Sequence, residues 1–297
     1  MTTKHSILII LLLSVLFTSC GEDAALTKRE SGSVSRASFT IGIPTNLSEA
    51  FENGISSIDV YSFRKQNGEN EYTFEKAYEN ITSQDDTHPS SVELTLDGSL
   101  ERILYFVANG SGKIPFMKEL TAVTTNKKFE DSAFLYESIV PQLPYILVGK
   151  QSVPAVTSAD VPVSVKLGHV LACLDINNRY EGFAVDSLVV KEAVCGTSLF
   201  TPVTPGVEQV ARGSVNYGNA QQVYLYQTDA SVLAVYGKYN GVRAVFDIQL
   251  KDIKKATRYR VTFRSTDDSE SDFAGKLQWS VAPWNNGETV ESTPDWH

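Results

Sequence analysis

What this chain has little of narrows it first. In 297 residues it holds three cysteines, four histidines and two methionines, and its 26 Lys and Arg are outnumbered by 35 Asp and Glu, for a formal charge of −9. An acidic chain without a basic block is a poor nucleic-acid binder, because neutralising phosphates supplies most of that affinity. The histidines (His5, His88, His169 and His297) stand far apart, with no two at metal-ligand spacing. Neither Cys173 nor Cys195 belongs to a C-x-x-C, and there is no G-x-S-x-G elbow and no Gly-rich phosphate loop. A Ser-His-Asp site built from distant segments leaves no mark in sequence order. Still, no cluster calls for one, nor for a cofactor or a metal, and the chain reads as a non-enzyme. Acid runs occur at Asp85-Asp86 and in DDSESD, 267–272. The second has a composition that could bind calcium; the plainer reading is a solvated hairpin turn between RVTFRS and KLQWSV.

Long apolar runs are also scarce. The longest, Ile7 to Phe17, is broken only by Ser14 and follows Lys4 and His5. It is too short to cross a hydrocarbon core of about 30 Å as a helix. It ends in LFTSC, with small residues directly before Cys20. This resembles the bacterial lipobox, in which a peptidase cuts before the cysteine and its thiol carries diacylglycerol. The competing reading is an ordinary signal peptide, but an A-x-A cleavage site is absent. Several acyl chains, each CH₂ worth about 0.8 kcal/mol when buried, would make Cys20 a stable link to outer-membrane lipid. Gly21-Glu22-Asp23 resembles the acidic stretch that follows the cysteine in surface-exposed lipoproteins of Bacteroidetes. Cys173 and Cys195 remain in an exported chain, where a disulfide is permitted. If 167–176 and 186–195 formed a hairpin, Cys173 would face a residue near 186 to 189, so two small buried thiols is the simpler expectation.

Removing residues 1–19 leaves a length that suits two domains better than one. Residues 20–36 are polar and small and read as a lipidated tether or propeptide. Order should begin at ASFTIGI, where Phe39, Ile41 and Ile43 alternate with polar or small residues. From there the strand period dominates. ISSIDVYSF (55–63), SVELTL (91–96), RILYFVAN (102–109), VPVSVKLGHVLACLDI (161–176) and DSLVVKEAV (186–194) are β-branched and aromatic, bounded by Gly, Asn, Pro or Asp. Short helices are expected at FEKAYENI (74–81) and KKFEDSAFLYESI (127–139). The Pro-containing QSVPAVTSADVP (151–162) marks the boundary between a first domain, 37–155, and a second, 156–297.

One hairpin can be written with its register. In VLAVYGKYNGVRAVFDIQL (232–250), Asn240-Gly241 supplies the two φ > 0 positions of a type I′ turn. Pairing outward sets Tyr239 opposite Val242, Gly237 opposite Ala244, Val235 opposite Phe246 and Leu233 opposite Ile248, an almost wholly apolar face. The six basic residues of KDIKKATRYRVTFR (251–264) have the composition of a polyanion patch. Tyr259, Val261 and Phe263 point one way, however, and Arg258, Arg260 and Arg264 the other, as on a strand with one solvated face. Residues 276–282 read as another strand, with Pro283 ending or edging it. A turn at Asn285-Asn286-Gly287 and a tail that finishes on Trp296 would follow.

Taken in order, these pieces resemble the fimbrillin family, the FimA-type and Mfa-type subunits of type V pili of Bacteroidetes. ISSIDVYSF, LYFVANG and LPYILVGK match its early strands and the segment before its second domain. VPVSVKLGHVLACLDI matches a later strand, with His169 in place of the family's usual arginine. VYLYQT, KYNG, KKATRYRVTF and WSVAPWNNGE follow in the family's order. The resemblance implies an all-β fold of two transthyretin-like β-sandwich domains in tandem with few short helices, and a pilus subunit at the cell surface. Its partners would be other fimbrial subunits, outer-membrane lipid through Cys20, and host or bacterial surface receptors. It also implies that an arginine-specific protease removes the lipidated segment, which places the cut at Arg36 and Ala37. A strand from another subunit would then fill the groove; the C-terminal tail with Val290 and Trp296 is the candidate donor, the alternative being that it pairs back on its own sheet. Residues 21–36 are short and weakly apolar for a displaced strand. That leaves open an uncleaved, anchor-like subunit, or cleavage at Lys28 or Arg29. A surface lipoprotein with a glycan-binding β-sandwich is the alternative, since 13 Tyr and 3 Trp could stack on sugars.

Overall fold

The computed structural model describes residues 34–42, 55–66, 70–79, 81, 91–97, 100–136, 140–141, 143–155, 161–201, 211–265, 277–285 and 288–289. The first half of the chain runs β1 (Val34–Gly42), β2 (Ile58–Lys65), β3 (Tyr72–Tyr78), β4 (Ser91–Asp97) and β5 (Arg102–Ala108). A 3-10 turn (Pro115–Glu119), helix α1 (Asn126–Ser132), β6 (Phe134–Tyr136), β7 (Leu147–Val153), β8 (Val161–Lys166) and β9 (Gly168–His169) follow. The second half begins with β10 (Leu171–Asn178), β11 (Phe183–Val194), β12 (Gly196–Ser198), β13 (Arg212–Gly218) and β14 (Gln222–Tyr226). It ends with β15 (Ser231–Tyr239), β16 (Val242–Leu250), β17 (Arg258–Ser265), β18 (Leu277–Asn285) and β19 (Glu288–Thr289). The chain is mostly strand, as its period of two requires.

In the first half, a three-stranded sheet ordered β4-β1-β8 faces a five-stranded sheet ordered β3-β2-β5-β7-β9. Between them lies a core that includes Ile58, Val60, Leu104 and Phe106 from one sheet and Leu94, Leu96 and Val165 from the other. In the second half, β14-β10-β17-β18-β19 faces β13-β11-β15-β16 across Leu174, Val190, Val235, Val261 and Phe263. A third core spans both halves. The outer face of β2 and β5 (Tyr61, Phe63, Tyr105) packs on Phe129 of α1, on Leu135, and on Leu171, Leu199 and Tyr226 from beyond residue 170. Phe129 is fully buried, with ring centroids 4.9 Å from Phe63 and 4.8 Å from Tyr105. Thr125 caps α1 by accepting the Lys128 N–H at 3.2 Å.

The β15–β16 hairpin takes the register read from its turn: Tyr239 with Val242, Gly237 with Ala244, Val235 with Phe246 and Leu233 with Ile248. Asn240 and Gly241 sit at φ 48° and 82°. Other expectations need correcting. A strand begins at Val34 rather than at Ala37, so the last residues of the supposed tether are paired. FEKAYENI is not a helix. Through Tyr78 it is strand β3, because its backbone pairs with β2, and pairing overrides a helix-like spacing of Phe74, Ala77 and Ile81. The helix expected over 127–139 stops at Ser132, and Phe134–Tyr136 turns into a strand against β12. VPVSVKLGHVLACLDI is three strands, not one. Its first two, β8 and β9, lie past residue 155 yet join sheets of the first half.

Candidate functional site

Several of the residues named from the sequence fall at strand edges and at the passage between the halves. Arg36 and Ala37 lie inside β1. That strand runs antiparallel to β4, with Val34 opposite Asp97 and Arg36 opposite Thr95, and parallel to β8, where pairing starts at Ala37 with Val161. The Arg36–Ala37 bond therefore falls where β1 acquires its second neighbour. Among the described residues, those before it pair with one strand, and those after it are flanked by two for part of their run. Cys20 lies outside the described residues, as do Val290, Trp296, His88 and the 267–272 acid run.

At the far end, β18 pairs with β17 from Ser265 opposite Leu277 to Tyr259 opposite Pro283. Pro283 does not end the strand. It continues to Asn285, and a short hairpin sets Trp284 opposite Thr289 and Asn285 opposite Glu288. Proline is tolerated there because β18 lies next to the sheet edge, where a missing N–H need not break a ladder. Among the described residues, β19 covers the outer side of β18 only at those two positions. On β17 the alternation holds, with Tyr259, Val261 and Phe263 buried. The arginine face is only partly solvated, since Arg258 donates to Asp175 Oδ1 at 3.0 Å and both are largely covered.

Between these ends the chain passes from one half to the other at His169–Leu171. His169 is buried, and burial holds its imidazole down at about 4, so it is neutral at pH 7. Asn109 ends β5 at φ 60°. Its side-chain oxygen accepts from Ser56 N and Oγ, both at 2.9 Å, and its amide donates to Tyr145 O at 3.0 Å. That clip is the physical content of the ANG segment. Lys255, which the sequence did not single out, reaches back to the loop after β12. It donates to the carbonyls of Ser198, Leu199 and Thr201 at 2.9, 2.8 and 2.9 Å. Burial draws its ammonium down to about 8. Nothing in the spacing of KDIKKATRYR distinguishes this lysine from Lys254, because its partners lie more than fifty residues away.

Cys173 and Cys195 are free thiols, on β10 and just after β11. Those strands belong to facing sheets rather than to one hairpin. Burial pushes the Cys173 thiol up to about 11, which makes it a packing group and a poor nucleophile. Among the described residues, no three His, Cys, Asp or Glu side chains gather as a metal site.

No family model matches the chain, and no curated protein does either. Solved structures do. A fimbrial assembly protein from Parabacteroides distasonis superposes with a TM-score of 0.61 at 14% identity, over 84% of this chain and 96% of the other. The tip fimbrial protein Mfa3 from Porphyromonas gingivalis, C-terminally truncated, gives a TM-score of 0.53 at 16% identity, over 84% of this chain and 100% of the other. At such identities the likeness establishes the fold: this chain is folded like these fimbrial proteins along most of its length.

Proposed function

We propose that this chain is a fimbrial subunit of the cell surface that assembles with other fimbrial subunits by strand exchange and contributes to adhesion. The reading is non-enzymatic. The fold shared with a fimbrial assembly protein and a tip fimbrial protein carries it. In this reading Cys20 is acylated and ties the precursor to the outer membrane. The two layered halves act as tandem transthyretin-like domains, divided between His169 and Leu171. Arg36–Ala37 is the processing bond, and the tail bearing Val290 and Trp296 is the donated strand. The pairing of β1 supports such a cut. It would detach Val34–Arg36, which among the described residues pair with β4, and leave Ala37–Gly42 held by β8. Because proteases need an unpaired stretch, cleavage would follow fraying of β1 from its start. Strand addition draws affinity from main-chain hydrogen bonds and specificity from alternate side-chain pockets.

The test treats the purified precursor with an arginine-specific protease. The expected product is a stable chain beginning ASFTIGI that enters polymers on a sizing column, while the same protein lacking residues 288–297 stays folded and monomeric. Internal fragments only, or polymers from the truncated protein, would refute the strand-exchange assignment. Cys20→Ala should move the protein out of the membrane fraction and abolish labelling by radioactive palmitate.

A further inference from the structure

Four separate segments meet beside the passage between the halves. They are Val148–Lys150 of β7, the Lys166–His169 stretch joining β8 to β9, the Leu199–Phe200 loop, and the Lys255–Ala256 turn, and they enclose an open cavity of about 440 Å³. That volume lies within the roughly 300–1,000 Å³ typical of small-molecule sites, which are mostly apolar with a few placed charges. The cavity fits that description. Val148, Leu167, Leu199 and Phe200 supply its apolar surface, and Lys150, Lys166 and Lys255 are its charged members. Among the described residues no acidic side chain lines it, in a chain whose formal charge is −9.

The three lysines differ in what they can offer. Lys255 has committed its ammonium to three backbone carbonyls, so it contributes field rather than hydrogen bonds. Lys150 is held by Glu130 Oε1 at 2.5 Å and stands 5.5 Å from the centre of the Tyr105 ring. Lys166 is exposed at the rim, beside buried Leu167. We infer that this cavity binds a small organic anion, its apolar body lying against Leu199 and Phe200 and its anionic group meeting Lys166. Neutral His169 completes the wall without adding charge at pH 7.

The test uses the full chain and two fluorescent probes of similar shape, the anion 8-anilinonaphthalene-1-sulfonate and the uncharged N-phenyl-1-naphthylamine. Lys166→Glu reverses a charge on an exposed side chain and should leave the fold intact. It is expected to weaken the anionic probe about tenfold, the effect of one reversed charge near a half-wet site. The neutral probe should change less than about twofold, because the apolar surface is untouched. Lys166→Arg should keep the anionic probe's affinity. Amide shifts on binding should fall at Gly149, Gly168 and Ala256. Equal affinity of Lys166→Glu for the anion, shifts confined to other surfaces, or no saturable binding would each overturn the assignment.

Discussion

The five-stranded sheet of the first half and the β13-β11-β15-β16 sheet of the second are covered differently. Every residue of β5 is buried, and so are Ile58 to Phe63 of β2, because Val60, Leu104 and Phe106 face one core while Tyr61, Phe63 and Tyr105 face another. In β15 and β16 only one face is covered. Leu233, Val235 and Ile248 are buried, whereas Tyr236 and Val245, paired on the other face, are exposed. A strand buried on both faces loses its polar alternation and reads as a continuous apolar run, as in RILYFVA. A strand covered on one face keeps it. The sequence pattern thus reports how many layers cover a sheet as well as where the sheet is.

The largest expected effect breaks the second layer of the first half. Phe129→Ala removes the ring on which Tyr61, Phe63 and Tyr105 converge, and should cost about 3–5 kcal/mol. Urea unfolding measures it, and a loss under about 1 kcal/mol would mean that the outer face of β2 and β5 does not depend on α1.

A second measurement probes the passage between the halves. The folded state holds His169 near 4 against an ordinary 6.5, so between those values the unfolded chain binds more protons. Stability from this group is complete above about pH 6.5 and is lost as pH falls towards 4, by about 3 kcal/mol. Wild type should therefore lose more stability than His169→Gln between pH 7 and pH 4. Parallel curves would show that the imidazole charges without penalty.

The remaining two changes address the one-layer sheet. Gly241→Ala puts a Cβ on a residue at φ 82° and should cost about 1–2 kcal/mol while keeping the register. Tyr236→Ser, on the open face, should stay within about 0.5 kcal/mol. A loss of several kcal/mol at Tyr236 would mean that this face is covered in solution.

Glu75 and Arg102 show how local reading fails even at a well-defined strand. From sequence they are two charges among many. In the structure Arg102 is buried, and its Nε and Nη2 donate to the Glu75 carboxylate at 2.8 and 2.9 Å. Burial alone would raise the Glu75 carboxyl, but the hydrogen bonds from Arg102 and Ser62 and the Arg102 charge outweigh it and hold it low. The alternation of Tyr259, Val261 and Phe263 was legible in the same way as the hairpin. The partner of Arg258 on β10 was not, nor was the role of Lys255.

By itself the sequence determined what depends on near neighbours. The Asn240-Gly241 turn and the period of two set the β15–β16 register, because a slip of one residue would expose the whole apolar face. The same period set which face of β17 is buried, with Tyr259, Val261 and Phe263 inward. Only the tertiary structure decided that β8 lies parallel to β1, more than a hundred residues away, that FEKAYENI is an edge strand, and that α1 covers β2 and β5. It alone brought Lys150, Lys166 and Lys255 around one cavity. The reason is physical. A period records which face of an element is apolar, and many neighbours could cover that face equally well. Which one does so depends on loop closure and on volumes summed over the whole chain, and no short stretch of residues contains that sum.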